Sequence, residues 1–217
     1  MSGSGSRSKT SSDLDAWLGT GHRPFVVVLS GPSGVGKSSF VKELLGAGLN
    51  LEYSVSATTR PRRPHETEGR DYFFLGREEF LRRIEAGEFV EWAEVHGELY
   101  GTLRSETERW LKAGKNVLLD IDVQGGRSVR KVYQDGVFIF LLPPSLASLE
   151  ARLRGRGTDP DERIRLRLDN ALREISLVRE YAYAVVNDDL GVALKQVSSI
   201  IVAETCRATR RLPMEST

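Results

Sequence analysis

The chain has 217 residues, enough for one domain with a well-formed core and room for small insertions. Its hydrophobic share of 40% and charged share of 28% are those of a globular protein, and a net charge of +1 argues against a general nucleic-acid binder. A single cysteine, Cys206, excludes an intramolecular disulfide and a zinc cluster.

The apolar runs are all too short to span a membrane, VFIFLL at 137–142 being among the longest, so no membrane partner is expected and the expected compartment is cytoplasmic. The three histidines, at 22, 65 and 96, show no metal-ligand spacing.

In chain order, residues 1–22 are rich in Ser and Gly and read as a disordered N-terminal tail without a signal-peptide core, DLDAWL being at most a short helix. A strand is expected at 25–30 and a helix at 36–46. Residues 51–100 break the rhythm, with short runs such as DYFFL and EFVEWAEV and a helix at 77–86. Then come a helix at 104–113, a strand at 116–121, a helix at 124–133, a strand at 137–142, helices at 145–154 and 161–180, and a strand at 183–187. Residues 206–217 read as a fraying C-terminal tail, leaving a folded body of 23–205. Apolar strands without polar alternation, each followed by a helix, predict an α/β fold with a parallel sheet covered by helices on both faces.

The stretch GPSGVGKS, 31–38, fits G-x-x-x-x-G-K-[ST] between a strand and a helix. A chain that wraps phosphates must turn its N–H groups inward, and Gly31, Gly34 and Gly36, with Pro32, Ser33 and Val35 between them, leave room for that. The helix that starts near Lys37 adds a positive dipole end. Lys37 supplies a cation for the β- and γ-phosphates, and Ser38, followed by Ser39, offers a hydroxyl to Mg²⁺. The reading is a nucleoside-triphosphate site. A GTPase would carry Asn-Lys-x-Asp after a late strand, but VVNDDL places Asp188 where lysine belongs.

The second half of the site lies in the irregular region. SVSATTRPRRPHETEGRDYFF, 54–74, concentrates Arg60, Arg62, Arg63 and Arg70 with Ser56, Thr58, Thr59 and Tyr72, groups suited to a phosphate or to a solvated loop. Glu91 and Tyr100 follow in EFVEWAEVHGELYGT, and a glutamate in a pocket accepts from adjacent N–H donors such as guanine N1 and N2. LLDID at 118–122 closes a buried strand, with Asp120 placed to orient a Mg²⁺ hydration shell and Asp122 expected on the same face.

Taken together, SGPSGVGKS, SVSATTRPRR, GRDYFF, EFVEWAEVHGELYGT, LLDIDVQG, LPPS, RLRGRG and VVNDDL resemble, in that order, the guanylate kinase family over nearly the whole body. The resemblance implies a P-loop nucleoside monophosphate kinase core at 23–53 and 102–205, a small inserted α+β GMP-binding domain at 54–101 and a mobile lid at about 154–165. It implies Mg²⁺-dependent transfer of the ATP γ-phosphate to GMP. It places the GMP phosphate on Arg60, Arg63, Tyr72 and Tyr100, and the guanine on Ser56, Glu91, Thr102 and Asp122. It places the lid arginines at Arg156 and Arg167 and sets Asn187 near the adenine. Arg154, Arg163 and Arg165 read as helix-surface charges. The rival reading is a non-catalytic interaction module of guanylate-kinase-like type, which typically loses the P-loop lysine or glycines; Gly31, Gly36, Lys37 and Ser38 are all present here.

Overall fold

The computed structural model describes residues 22–95, 97–155 and 160–211. Five strands form a parallel sheet in the order β2-β7-β1-β8-β9: β1 (Val26–Ser30), β2 (Leu51–Tyr53), β7 (Asn116–Asp120), β8 (Val137–Leu142) and β9 (Tyr183–Val186). β1 lies at the centre, with Val28 in register with Leu119 on one side and Phe138 on the other. Alternate residues of a strand point to opposite faces, so a central strand buried on both must be apolar throughout. Every residue of VVVLS is buried.

Val27 and Leu29 pack with Phe40 and Leu44 of α1 (Lys37–Leu45) and with Val197 and Ile201 of α7 (Leu190–Thr205). Val26 and Val28 face the other way, toward Val129 of α4 (Val123–Val132) and Trp110 and Leu111 of α3 (Arg104–Lys112). Each such fully buried side chain contributes about 1.5–3 kcal/mol, so truncation of Val28 to alanine weakens the layer against α4 first.

Between β2 and α3 the chain builds a second sheet, ordered β4-β3-β6-β5, from β3 (Ser56–Thr58), β4 (Phe73–Phe74), β5 (Phe89–Val95) and β6 (Glu98–Leu103). It is covered by α2 (Arg77–Glu85), whose Phe80 stacks on Phe89 at 4.4 Å between ring centres. Beyond β8, α5 (Leu146–Arg154) and α6 (Asp161–Ser176) share a small core of Leu149, Leu153, Ile164 and Ala171.

Four elements depart from the sequence expectations, the first being β2, a fifth strand of the parallel sheet that starts the region read as irregular. The helix expected over 161–180 ends at Ser176, and a single 3₁₀ turn (Val178–Glu180) follows before Ala182 donates to the Phe138 carbonyl and the chain joins the sheet. α7, which the sequence reading lacks, starts under an N-cap in which Asp189 accepts from the Val192 N–H. The end read as fraying includes α8 (Ala208–Arg211), whose Arg210 is buried over the Phe25 ring and donates to the Asp135 carbonyl and to Glu204. Residues 1–21 of the expected tail, DLDAWL included, residues 212–217, and Arg156 in the lid stretch lie outside the described residues.

Candidate active site

The loop after β1 is built for close approach. Gly36 caps α1 with φ of 100°, a left-handed conformation that favours glycine. A Cβ on Gly31 would stand 2.5 Å from the Leu141 carbonyl oxygen, so only glycine lets the loop leave the sheet there. Val35 is fully buried and anchors the loop from below. Its carbonyl accepts from Asn187 Nδ2 at 2.8 Å and from the Arg152 guanidinium at 3.1 Å, while Arg152 also donates to the Asn187 carbonyl at 3.0 Å. Asn187 is therefore a buried strut of the phosphate loop. Lys37 donates from Nζ to the Gly31 carbonyl at 2.5 Å, folded back over the loop. Pro32 is buried, Gly34 half-buried, and Ser33, Ser38 and Ser39 are exposed on the loop and the first turn of α1.

The second sheet supplies the facing wall. Register brings Ser56 opposite Thr102, Thr58 opposite Tyr100, and Thr102 opposite Glu91, so residues far apart in sequence become cross-strand neighbours. Thr102 is buried and donates from Oγ1 to Glu91 Oε1 at 2.6 Å. Gly125 brings the first turn of α4 against the same carboxylate; a Cβ there would meet Glu91 Oε2 at 3.0 Å. Burial pushes the Glu91 carboxyl above its ordinary range, the Thr102 hydrogen bond opposes that, and the charge of Asp122 adds to it. The bulge between Phe89 and Glu91 shifts the register of β5 at this point, a common device for aiming a side chain.

Tyr72 and Tyr100 meet edge to face, 6.1 Å between ring centres. Arg60 lies over Tyr72 at 5.4 Å and makes a two-pronged ion pair with Glu66 at 2.7 and 3.1 Å. Glu66 also accepts the Arg63 backbone N–H at 2.8 Å, whereas the Arg63 side chain is exposed. With these partners, first Arg60 and then the Arg63 amide, the Glu66 carboxyl is held down at about 2.

Ser56, Tyr72, Glu91, Tyr100, Asp120 and Asp122 line one cavity of about 190 Å³. Asp120 ends β7, and Asp122 lies past the strand, where its Oδ1 caps α4 by accepting from the Gly125 N–H at 2.8 Å. The shared strand face expected for the two aspartates thus gives way to a strand end and a helix cap, yet both reach one cavity. Burial raises the Asp120 carboxyl and the charge of Lys37 opposes the rise, so Asp120 senses the phosphate loop as well. Arg167 lies half-buried on α6. Arg154 is a surface charge paired with Glu150 and Asp161.

Glu66, Arg152 and Tyr53 are the site neighbours the sequence reading passed over. For Glu66 the only signal is the first acid after the run of arginines, six residues past Arg60, with Glu68 and Asp71 close behind it.

A phosphate loop on the first strand of a parallel sheet, with a second small sheet across a polar cavity at the strands' carboxyl ends, is the P-loop nucleoside monophosphate kinase fold. A family model described as guanylate kinase matches residues 23–204. The guanylate kinase of Thermotoga maritima is 52% identical over 183 residues, 84% of this chain and 88% of that protein. That of Geobacter sulfurreducens is 46% identical over 185 residues, 85% and 91% of the two chains. The crystal structure of guanylate kinase from Anaplasma phagocytophilum aligns with a TM-score of 0.70 at 37% identity, covering 87% of this chain and 90% of that one. The chain belongs to the guanylate kinase family.

Proposed function

We propose that the chain is an ATP:GMP phosphotransferase that turns ATP and GMP into ADP and GDP in purine nucleotide metabolism, in the cytoplasm and with Mg²⁺. The observation that supports this most is the position of Asp120, in register with Leu29 at the end of β1 where the phosphate loop begins, and lining the cavity that holds Glu91. Donor loop and acceptor cavity therefore adjoin at one carboxylate. Among the described residues no helix is long and apolar enough to cross a membrane.

On this reading the loop 31–39 wraps the ATP phosphates, with Lys37 as the mobile cation. Arg60, Arg63, Tyr72 and Tyr100 hold the GMP phosphate. Ser56, Glu91, Thr102 and Asp122 read the guanine, Glu91 accepting from N1–H and N2–H, an edge adenine lacks. Arg156 and Arg167 close on the triphosphate. Asn187, which props Val35, belongs to the adenine side of the donor site.

The donor set suits Mg²⁺. Ser38 offers an exposed hydroxyl on the first turn of α1, and Asp120 a carboxylate at the end of β7; few protein oxygens beside substrate phosphates are what this ion takes. When bound, Mg²⁺ neutralises charge on the β- and γ-phosphates.

The acceptor phosphate is already ionised, so no strong general base is needed. The residues act by aligning two anions that repel each other and by matching charge that shifts in the transition state. Arg60 and Arg63 neutralise the acceptor, Lys37 and the lid arginines the donor. Closure of the lid excludes water that would otherwise consume ATP. The test is ADP release with ATP and each of GMP, AMP, CMP and UMP. Turnover with GMP alone is the expected result, and equal turnover with AMP would sink the reading. The intact Gly31, Gly36, Lys37 and Ser38 argue against a non-catalytic module.

A further inference from the structure

The acceptor cavity contains a third phenol. Tyr53 ends β2, the edge strand of the parallel sheet, in register with Leu118 of β7. Its ring packs against the main core, and the residue lines the same cavity as Tyr72, Tyr100 and Asp120. Asp120 and Tyr72 line that cavity with it, and burial raises the Tyr53 phenol above its ordinary range, with the charges of Asp120 and Tyr72 adding to the rise.

Among the described residues the Tyr53 hydroxyl has no hydrogen-bond partner. Tyr53 is half-buried, and its hydroxyl is not among the sealed polar atoms without a partner, so it stays open to a ligand in the cavity. Near neutral pH it is a protonated donor. The two ends of the cavity differ in chemistry. Glu91 and Asp122 form an acceptor-rich end, matched to the N–H groups of a base. Tyr72 and Tyr100, with Arg60 stacked on Tyr72, form a donor end, matched to an anion. Tyr53 belongs with the donors.

We propose that Tyr53 is a further acceptor-binding residue: its hydroxyl donates a hydrogen bond to a phosphate oxygen of the nucleoside monophosphate and, with Tyr72 and Tyr100, makes a rim of three neutral donors. This rests on the function proposed above. Neutral donors fix the phosphate in orientation while drawing less charge from its attacking oxygen than further arginines would. Two guanidinium groups supply the attraction and three phenols the aim.

The decisive variant is Tyr53→Phe, which keeps the ring in its core contacts and removes only the hydroxyl. Affinity for GMP and for guanosine, which lacks the phosphate, is measured by calorimetry, alongside steady-state kinetics and melting. The variant should lose about tenfold in GMP affinity, the usual effect of one hydrogen bond to a charged group. Guanosine affinity, the KM for ATP and the melting temperature should stay at wild-type values. Unchanged GMP affinity would overturn the proposal. An equal loss for guanosine would overturn it too, because Tyr53 would then shape the base end. Wild-type protein that fails to phosphorylate GMP would instead remove the functional reading itself, and that outcome appears before any variant is compared.

Discussion

Glu66 holds Arg60 by both ends of its guanidinium fork, and the same carboxylate accepts the backbone N–H of Arg63. One acid thereby sets the side chain of Arg60 and the backbone of Arg63, the two cations proposed for the acceptor phosphate. Glu66 is only 8% exposed, so the pair is shielded from the screening that makes surface ion pairs weak. Arg60 is oriented before any substrate arrives.

Glu66→Gln should therefore raise the KM for GMP by about tenfold, the scale of one charge-assisted hydrogen bond, with little change in the KM for ATP. Steady-state kinetics with each substrate varied in turn checks this, and an equal rise in both would place Glu66 outside the acceptor half.

The same pair has a signature in acid. The Glu66 carboxyl is held at about 2 in the folded chain, against an ordinary value of 4.5. A folded value below the unfolded one means that the stabilisation is fully present above about 4.5 and is lost as the pH falls toward 2. Between those limits wild-type stability should fall more steeply with acid than that of Glu66→Gln. Denaturant midpoints measured across the range give the two slopes, and parallel slopes would refute the assignment.

Lys37→Ala should cut turnover by about 10²-fold or more, because charge neutralisation is a main part of catalysis here. Among the described residues Lys37 Nζ makes one hydrogen bond, to the Gly31 carbonyl, so the fold should persist. Near-normal turnover in a folded variant would remove the phosphate loop from the mechanism.

Arg152→Ala tests the strut beneath that loop. It leaves the Val35 carbonyl with Asn187 alone and frees the Asn187 carbonyl. Loss of buried partners costs about 1–3 kcal/mol, and each kcal/mol lowers the melting temperature by about 2–4 °C at this chain length. The KM for ATP should rise while that for GMP holds. A variant with unaltered melting and ATP affinity would show the loop to be self-supporting.

Much of this was legible in the sequence. The parallel sheet was, because VVVLS, NVLLD and VFIFLL are apolar on both faces, which only doubly covered strands need. The phosphate loop was, because its glycines, lysine and flanking elements are contiguous. What escaped depends on long-range contact. α7 has valine, isoleucine and serine interleaved, a composition that fits strand or loop until Asp189 is seen to cap it. Arg210 looks like a tail charge until Phe25, Asp135 and Glu204 surround it. Arg152 reads as one more charge in RLRGRG, and nothing local tells that its guanidinium reaches back to Val35. The base-reading end lies between: Glu91 stands out as a glutamate able to accept from a base edge, Thr102 comes only from the resemblance, and their hydrogen bond requires a strand register that no local pattern supplies.

The central claim is that Glu91 makes this chain choose guanine. Burial raises its carboxyl above the ordinary value, so the folded state tolerates the ionised form less well than the unfolded chain does. Glu91→Gln removes that buried charge and should not lower the melting temperature. It also replaces an acceptor oxygen with an amide that faces an N–H, which costs roughly 1–3 kcal/mol for the unpaired group. The most direct measurement is kcat/KM for GMP and for AMP in wild type and Glu91→Gln. Wild type should prefer GMP by about 10³-fold or more, as sites built around a hydrogen-bonded edge do. In the variant, GMP efficiency should fall at least about tenfold, with AMP nearly unchanged, so the ratio narrows. A ratio that stays at the wild-type value in a folded variant would contradict the account, leaving Glu91 a structural partner of Thr102 and nothing more.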